Sequence, residues 1–465
     1  MTLLWNRADL LAATSGRFAS TSHDDIAGTG VSIDTRTLRP GDVFIALQGE
    51  NSNGHAHVAA ALDAGAAAVV AHEPCGIDDP RILMVRDTLA AMRDMAHFAR
   101  ARFAGRMVAV TGSVGKTSVK DMLRHALAAC GPTHYAVASY NNHWGVPLTL
   151  ARLPADAAYC VCEIGMNHPG EIRPLADMVR PDVAVVTTVA SSHLALMGSL
   201  EAIAREKAEI LLALPRGGGT GIVPAGVTGA EYFRRNAESM EAALWWAGHT
   251  PDCAAYETDV RTDAQGSGFD LSLPGWQGHA RVNAPGRHMA DNAMLALAAA
   301  HAAGVDMGHA VAGLATFRPG AGRGAMAKVM HDKVTLLDES YNASPASVRA
   351  ALDLLGLVAT GRRVAILGDM LELGAFARHE HTSLLPAVRA NADIVFCCGP
   401  NMKTLFDTLP SSLQGGWMPD SRMLAPLVRA ALRAGDTVMV KGSLGSRMRH
   451  VVTAMQADDA RVGPA

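Results

Sequence analysis

The feature that most constrains this chain is a glycine-rich stretch between an apolar run and a helical repeat. Residues 111–118 read Thr-Gly-Ser-Val-Gly-Lys-Thr-Ser. Residues 107–110 before them form a short apolar run that predicts a buried strand, and apolar residues recur with helical spacing over 119–130. The chain therefore predicts a loop from a strand into a helix N-terminus, where backbone N–H groups and the helix dipole favour a polyphosphate.

Side chains in this loop fit the same interpretation. Lys116 would place a positive charge near the terminal phosphates, and the Thr117 hydroxyl would hold Mg²⁺. The predicted ATP-binding loop consists of Gly112, Ser113, Val114, Gly115, Lys116, Thr117 and Ser118. The longer form of the motif has glycine where this chain has Val110, so only the shortened G-x-x-G-K-T form is present. An ordinary glycine-rich turn is the alternative.

Length and composition narrow the class of protein. The 465 residues suggest about three domains. Charged residues make up 18% of the chain and the formal net charge is −3, so nothing indicates a nucleic-acid binder. The seven cysteines form no C-x-x-C pair, which indicates a reducing cytoplasm without structural disulfides or a thiolate zinc site. The sequence predicts neither a signal peptide nor the roughly 20-residue apolar stretch of a membrane span.

Short strand and helix patterns alternate along the chain, which predicts an α/β fold with parallel sheets covered by helices. Predicted strands lie at 43–47, 67–71, 107–110, 159–162, 183–188, 221–223, 334–337, 364–367, 394–397 and 437–440. Predicted helices lie at 58–64, 89–103, 119–130, 200–214 and 288–303. The turn-rich stretch 317–324 is a predicted hinge or linker.

Polar or glycine residues follow each predicted strand of the last region. They are Asp338-Glu339, Gly368-Asp369, Gly399 and Lys441-Gly442. Because ligands of open parallel sheets bind at the carboxyl ends of the strands, these residues are candidates for a crevice. They are equally the residues that ordinary turns favour.

Two side chains follow predicted strands of the middle region. Glu163 comes directly after 159–162, and a carboxylate at a strand end near a phosphate loop can complete a Mg²⁺ site. His193 follows 183–188, so the same rule makes it a candidate ligand. A solvated loop glutamate and a structural histidine are the alternatives.

Lys207 is an unusual residue in the helix predicted over 200–214. The apolar stripe that contains it consists of Leu200, Ile203, Ala204, Leu211 and Leu214. Burial of an ammonium group is costly and lowers its pKa. An uncharged lysine amine can react with CO₂ to give a carbamate, which is an anionic oxygen ligand for Mg²⁺. A lysine that extends out of the stripe to solvent is the alternative, and helix geometry alone favours it.

Weaker signals lie at two other places. Asn292, near His288 at the start of the helix predicted over 288–303, could face a nucleobase or simply be exposed. Near the N-terminus, Ser32, Thr35 and Arg36 combine small hydroxyls with a guanidinium group, which suits a phosphate or diphosphate.

Taken together, these motifs make the chain similar to the Mur ligases, which add amino acids to the muramoyl peptide of bacterial cell-wall precursors. The resemblance covers essentially the whole chain, with the motifs in the order of the family. The motifs are Asp34-Thr35-Arg36, the run 40–46, the loop 111–118, the run 141–147, the run 163–171, His193 with Lys207, Pro285-Gly286-Arg287-His288 with Asn292, the runs 338–343 and 368–374, and Lys441-Gly442-Ser443.

The resemblance implies three domains. A small α/β domain that binds UDP would span 1–86, a central P-loop ATPase domain with a parallel sheet 87–317, and a Rossmann-like domain 318–465. The runs 338–343 and 368–374 resemble those of the branch that adds D-alanyl-D-alanine to UDP-N-acetylmuramoyl-tripeptide through an acyl phosphate. ATP and the two peptides would be the substrates of a cytoplasmic monomer that neither inserts into membranes nor binds nucleic acid.

The resemblance also implies roles for individual residues. Lys116, Glu163, His193 and Lys207 would be catalytic. Two Mg²⁺ ions would be held by Thr117, Glu163, His193 and an N6-carboxylated Lys207. The nucleotide would contact the loop 112–118 together with Asn292, Arg323, Asp338 and Asn342. The UDP-linked substrate would contact Ser32, Thr35, Arg36, Asn141 and Asn142.

The chain departs from the family pattern at two points. Val114 stands where a small residue is expected, and His143-Trp144 stand where an acidic and an aliphatic residue are frequent. Three alternatives remain open from the sequence. They are the related ligase that adds a diamino acid, a nucleotide-binding scaffold without catalysis, and a phosphoryl-transferring P-loop kinase.

Overall fold

The structure is a computed structural model that describes residues 2–18, 26–49 and 52–457. Within these ranges the strands form three main sheets and one short antiparallel pair. The predicted α/β fold with three sheet-containing regions is confirmed. No helix in the described part of the chain is long and apolar enough to cross a membrane. All seven cysteines, each in the described ranges, are free.

The N-terminal region is a small sheet with helices packed on it. Its strands are β1 (Trp5–Asn6), β2 (Arg17–Phe18), β3 (Ala27–Gly28), β4 (Gly30–Ser32), β5 (Asp42–Ile45), β6 (Ala68–Ala71) and β7 (Ile82–Met84), and its helices are α1 (Arg7–Thr14), α2 (Val58–Asp63) and α3 (Thr88–Arg102). The sheet order is β2-β7-β6-β5-β4, in which β4 to β7 are parallel and β2 is antiparallel to β7. The strands and helices predicted for this region are confirmed within a few residues at each end.

Helix α3 lies between the N-terminal and central cores. It begins where the Asp87 carboxylate accepts a hydrogen bond from Ala90 N. Met92 and Met95 pack in the core with Trp5 and Leu10, whereas Ala96 packs in a core of the central region. The domain boundaries at 86–87 and 317–318 stay predictions.

The central region is built on a long mixed sheet. Its strands are β8 (Arg106–Thr111), β9 (Thr133–Tyr135), β10 (Tyr159–Glu163), β11 (Val183–Val186), β12 (Thr220–Pro224), β13 (Ala243–Gly248), β14 (Ala255–Asp263), β15 (Gly266–Leu273) and β16 (Trp276–Val282). Its helices are α4 (Lys116–Ala128), α5 (Gly145–Ala151), α6 (Ile172–Val179), α7 (Leu194–Met197), α8 (Leu200–Ala208), α9 (Ala230–Ser239), α10 (Arg287–Ala302) and α11 (Met307–Leu314). The sheet order is β16-β15-β14-β13-β12-β11-β8-β10-β9.

Strand β8 lies inside this sheet, between β10 and β11. Met107, Val108, Ala109 and Val110 are all fully buried, because helices cover both faces of a parallel sheet and a central strand then needs a continuous apolar run. Helix α4 packs one side on this sheet through Val119, Met122, Leu123, Ala126 and Leu127. The predicted strand–loop–helix unit is therefore confirmed.

Two expectations for the central region need correction. The central sheet is not purely parallel, because β14, β15 and β16 form antiparallel hairpins that the sequence patterns do not predict. The helix predicted over 200–214 ends as an α-helix at Ala208 and continues as a 3-10 helix over Glu209–Ala213. Pro215 explains why the helical segment ends at Ala213, since the residue before a proline is disfavoured in the α conformation and Leu214 is extended.

The C-terminal region has a doubly covered sheet. Its strands are β17 (Ala325–Val329), β18 (Val334–Glu339), β19 (Arg363–Gly368), β20 (Ile394–Cys398), β21 (Gln414–Met418) and β22 (Thr437–Lys441), and its helices are α12 (Pro345–Val358), α13 (Ala377–Thr382), α14 (Leu385–Asn391), α15 (Met402–Phe406), α16 (Ser421–Ala431) and α17 (Arg449–Gln456). The order is β17-β18-β22-β19-β20-β21, with β17 antiparallel to β18. The predicted strands are confirmed, although Asp338-Glu339, Gly368 and Lys441 end their strands rather than follow them.

Candidate active site

A cavity of about 1490 Å³ lies at the carboxyl edge of the central sheet, where the C-terminal region faces it. Its wall includes the loop 113–118, the residues after β10, β11 and β13, and the start of α10. The C-terminal region contributes Arg323, Asn342 and Lys441. The carboxyl-edge rule for parallel sheets therefore correctly locates this cavity.

The conformation of the glycine loop is fixed by its own backbone and by the segment that follows β11. Gly112 and Gly115 have φ values of +148° and +88°, a region that side-chain-bearing residues rarely adopt. The Val114 N–H donates to Thr188 Oγ1 at 2.9 Å, and the Lys116 ammonium donates to Gly112 O at 2.7 Å. Burial of the Lys116 amine lowers its pKa, opposed by nearby Glu163. A bound phosphate would supply a negative charge that stabilises the protonated form of Lys116.

Glu163 is the buried carboxylate of the site, with only 1% of its surface exposed. Its Oε2 accepts a hydrogen bond from Thr117 Oγ1 at 2.9 Å, and its Oε1 accepts one from Asn141 Nδ2 at 2.7 Å. In the described ranges, no lysine, arginine or histidine lies within ion-pair distance of it. A buried anion needs a compensating positive charge, so the Glu163 carboxylate is suited to coordinate a metal cation.

Lys207 is buried in α8, with 2% of its surface exposed. Its pKa lies well below the usual value, first because burial removes solvation and then because Lys116 is close by. The neighbouring Glu206 offers no direct contact, since its oxygens accept hydrogen bonds from Gly170 N and Ile172 N. The amine has no hydrogen-bond or ion-pair partner among residues 2–18, 26–49 and 52–457. The side chain therefore does not extend to solvent, which was the alternative.

His193 lines the cavity immediately before α7 and contacts the C-terminal region. Its Nδ1 lies 2.6 Å from Glu372 Oε2, and Ala195 N donates to Glu372 O at 3.1 Å. The contact with His193 is the main cause of the lowered pKa of Glu372. Both residues have left-handed backbones, with φ of 60° and 64°. Such strain in non-glycine residues is found where surrounding contacts impose it.

Not all of the residues predicted to contact the nucleotide line the cavity. Asn292 lies over the loop, since a Cβ added at Gly115 would come within 2.6 Å of Asn292 Oδ1. Arg323 stacks on the Tyr341 ring at 3.8 Å from its centroid and donates to Ser139 Oγ at 2.8 Å. Asn342 also lines the cavity, whereas Asp338 does not. The carboxylate of Asp338 accepts hydrogen bonds from Gly322 N and Ser340 Oγ, so it orders the linker turn.

The predicted contacts to the UDP-linked substrate divide into two groups. Asn141 and Asn142 line the cavity. Ser32, Thr35 and Arg36 lie outside it, on the N-terminal region. Arg36 is paired with Asp34 at 2.6 Å, and 86% of its side chain is exposed. The structure therefore does not bring these three residues together with the phosphate loop, and their role stays a prediction.

Some cavity residues carry no role in the sequence interpretation. Lys441 pairs with Glu339 at 3.1 Å and donates to Asn342 O, so it connects two strand ends of the C-terminal sheet. His249 and Asp291 line the cavity, and the buried Glu257 lies next to them without lining it. Glu257 lies two residues after the buried Ala255 on β14, so both side chains point to the same face of the sheet. This spacing is the one sequence signal that could have indicated an inward carboxylate.

Comparison with known proteins accounts for almost the whole chain. Residues 28–106 match the model of the Mur ligase family, catalytic domain, residues 110–300 the Mur ligase middle domain, and residues 323–444 the Mur ligase, glutamate ligase domain. The chain is 34% identical to a UDP-N-acetylmuramoyl-tripeptide–D-alanyl-D-alanine ligase of Escherichia coli (strain K12), over 93% of this chain and 94% of that protein.

Solved structures are similar over the same extent. A crystal structure of MurF from Acinetobacter baumannii superposes with a TM-score of 0.84 at 28% identity, covering 97% of this chain and 98% of that one. The MurF ligase from Thermotoga maritima, determined in complex with ADP, has the same fold, with a TM-score of 0.77 at 23% identity over 95% of this chain and all (100%) of that one.

Proposed function

Since this chain belongs to the Mur ligase family, we propose that it joins D-alanyl-D-alanine to UDP-N-acetylmuramoyl-tripeptide at the expense of ATP. The product is the UDP-linked pentapeptide precursor of peptidoglycan, with ADP and phosphate. The observation that carries the proposal is one cavity in which the phosphate loop, a buried carboxylate and the C-terminal region meet. A ligase of three substrates needs such a junction, and a kinase does not need the additional domains.

The reaction has two balanced steps. A terminal carboxylate oxygen of the tripeptide attacks the γ-phosphorus of ATP, the bond to the β,γ-bridging oxygen breaks, and ADP leaves. The amine of D-alanyl-D-alanine then attacks the acyl carbon, loses a proton and expels phosphate. Both reactants of the first step are anions, so catalysis depends on positioning and on fixed positive charge. Lys116 and Arg323 supply that charge from the described chain.

The residues present fit Mg²⁺ as a cofactor. Thr117, Glu163 and His193 offer a hydroxyl, a buried carboxylate without a cation partner, and an imidazole that faces the cavity. Lys207 would complete the set as a carbamate, because its buried amine has a lowered pKa, as carbamate formation requires. Bound there, two Mg²⁺ ions would screen the charge between the carboxylate and the γ-phosphate.

The chain's domains would divide the substrates between them. ATP fits the central loop, and a relative of the same fold was crystallised with ADP. We assign the uridine diphosphate to Ser32, Thr35 and Arg36 on the N-terminal domain, and the dipeptide to the C-terminal domain. Because these sites are separate, the domains would close to bring the substrates together and to keep water from the acyl phosphate. We place the enzyme, as a monomer, in the cytoplasm.

The proposal is tested by phosphate release from ATP with UDP-N-acetylmuramoyl-tripeptide and a panel of amines. The panel consists of D-alanyl-D-alanine, free D-alanine, diaminopimelate and no amine. We expect release only with D-alanyl-D-alanine, together with a product heavier by that dipeptide less one water. Release with diaminopimelate instead would place the chain in the related branch. No release with any amine would contradict the ligase proposal.

Glu372 provides a prediction about the contact between domains. We expect Glu372→Gln to lower kcat by about 10- to 100-fold. Loss of a carboxylate that orients a metal-ligating imidazole typically lowers activity by about that factor. The affinity for ATP alone should be unchanged, since Glu372 does not line the cavity. Steady-state kinetics and nucleotide titration measure the two quantities. Glu380→Gln, on nearby α13, is the matched control, and an equal loss in both variants would count against the His193 contact.

A further inference from the structure

A pair of acidic residues, of which one is fully buried, lies at the wall of the cavity. Glu257 lies on β14, Asp291 on α10, and His249 directly after β13, with one ligand atom of each within 4.8 Å of the others. The side chain of Glu257 is completely buried, at 0% exposure, whereas that of Asp291 is 37% exposed. Asp291 and His249 line the cavity. Nothing in the reaction described above uses these three residues.

Arg287 is the cation of this cluster, and it satisfies the acids only in part. Its Nη2 lies 3.4 Å from Glu257 Oε1, and its Nε lies 3.6 Å from Asp291 Oδ1. These distances exceed the roughly 2.7–2.9 Å of a charge-assisted hydrogen bond. Arg287 instead donates to His249 Nδ1 at 3.0 Å. The guanidinium therefore lies within 3.6 Å of an acceptor atom on each of the three residues, where its charge would repel a metal ion.

The two carboxyl groups are best satisfied by sharing a proton. Both oxygens of Glu257 and Oδ1 of Asp291 are buried without a hydrogen bond to any described residue. Burial, followed by the charge of Asp291, raises the pKa of Glu257 to about 9. In its protonated form Glu257 can donate to Asp291 Oδ1. That bond would hold the Asp291 carboxylate and leave Oδ2 as the oxygen that can face the cavity.

The position of the cluster relates it to the nucleotide. From the phosphate loop after β8, the sheet continues through β11 and β12 to β13, which is three strand spacings or about 14 Å. On the opposite side of β8, the N-terminal region is attached, since Trp5 Nε1 donates to Ala151 O and Arg152 Nε donates to Val31 O. With the uridine diphosphate assigned to the N-terminal domain, the UDP-linked substrate would approach from that side. If the phosphates of a nucleotide bind the loop and the UDP-linked substrate enters from the opposite side, the space for the base and ribose lies toward β13 and Asp291.

We propose that Asp291, positioned by Glu257, binds the nucleoside half of ATP by accepting hydrogen bonds from its donor groups. This inference rests on the proposed use of ATP. The donors in question are the exocyclic amine of adenine and the ribose hydroxyls, and a carboxylate can only accept from them. If the amine is the donor, inosine places a carbonyl oxygen at that position, and an oxygen facing a carboxylate is rejected. The residue before Asn292 thus becomes a determinant of nucleotide specificity.

Equilibrium titration with ATP, ITP, 2′-deoxy-ATP and 3′-deoxy-ATP, without other substrates, tests the proposal. We expect Asp291→Asn to weaken ATP binding by about tenfold or more, as the loss of a hydrogen bond to a charged group predicts. Asp270→Asn is the matched control, because Asp270 also pairs with a histidine but lies on the exposed β15–β16 hairpin. It should leave all affinities unchanged. A wild-type preference for ATP over ITP that disappears in Asp291→Asn identifies the amine as the donor, and weak binding of either deoxynucleotide identifies the ribose.

Variants of Glu257 test its positioning role. Glu257→Gln keeps a donor toward Asp291, so we expect it to retain the wild-type affinity for ATP. Glu257→Leu removes the donor and should weaken binding as much as Asp291→Asn does. Equal affinities in these two Glu257 variants would overturn the positioning role. Thermal unfolding of each variant reports whether the fold is retained.

The inference and the proposed function fail in different ways. If wild-type protein releases phosphate with D-alanyl-D-alanine, but Asp291→Asn binds all four nucleotides within about twofold of the wild type, the enzyme assignment stands and this inference is overturned. Wild-type protein that binds none of the four nucleotides contradicts both.

Discussion

Lys116→Ala is expected to lower ATP-dependent phosphate release by about 10²–10³-fold, the range observed when one fixed group that stabilises transition-state charge is removed. The amine lies inside the phosphate loop, donates to Gly112 O at 2.7 Å, and has a pKa lowered by burial. It is therefore a charge held in place for an anion rather than a partner in a structural ion pair. Binding of UDP-N-acetylmuramoyl-tripeptide should survive, since that substrate is assigned to other residues.

The measurement for Lys116→Ala combines a phosphate-release assay with calorimetric titration of the UDP-linked substrate. Lys328→Ala is the control, because Lys328 lies exposed on β17 and bonds only Thr335 among described residues. Loss of substrate binding together with turnover would indicate misfolding. Turnover close to that of the wild type would contradict the role of the loop.

Lys207→Ala is expected to remove most activity, and an added short carboxylic acid is expected to restore part of it. Removal of an oxygen ligand that places a metal ion at the reacting groups should lower turnover by about 10²–10³-fold. Alanine leaves space in the buried stripe for formate or acetate, whose oxygens can take the place of the carbamate. The measurement is turnover against added acid. Wild-type activity in Lys207→Ala would contradict the carbamate role, and so would a loss that no acid restores.

The stability of a second variant separates this role from a structural one. The folded pKa of Lys207 lies well below 10.5, so the unfolded chain binds more protons between the two pKa values. Stability therefore rises with pH through that window, and the buried amine opposes folding at neutral pH. Lys207→Met, which fills the same volume without the amine, should keep or raise the melting temperature while it loses activity. A large fall in melting temperature would indicate a structural role.

The elements that sequence patterns predict well are those with a single dominant cause. Strand β8 needs four consecutive apolar residues because both of its faces are covered, and α4 shows its buried stripe directly. The burial of Lys207 goes beyond such a pattern, because helix geometry alone favours a lysine that extends to solvent. In contrast, the hairpins β14 to β16 mix exposed and buried positions, so their alternation is weak. Their pairing depends on partners that local patterns do not contain.

The residues of the candidate site also divide into those that a local sequence motif predicts and those that it does not. The phosphate loop, Glu163, His193 and Asn292 follow from motifs at strand ends and a helix start, and the structure brings them to one cavity. Asp338 was expected to contact the nucleotide, but its carboxylate is taken up by the linker turn. The inward orientation of Glu257 and the contact between Glu372 and His193 arise from packing between elements far apart in sequence. For Glu257 the only local signal is its position two residues after the buried Ala255 on β14, and no local pattern indicates the contact between Glu372 and His193.

The most direct test of the central claim is the transfer of oxygen from the tripeptide to phosphate. UDP-N-acetylmuramoyl-tripeptide labelled with ¹⁸O in its terminal carboxylate would be incubated with ATP, D-alanyl-D-alanine and the wild-type protein. The released phosphate and the product would then be examined by mass spectrometry. If the carboxylate attacks ATP and the dipeptide amine displaces phosphate, each phosphate released carries one ¹⁸O from the peptide. Unlabelled phosphate, with both labelled oxygens still in the peptide, would contradict the acyl-phosphate ligase mechanism.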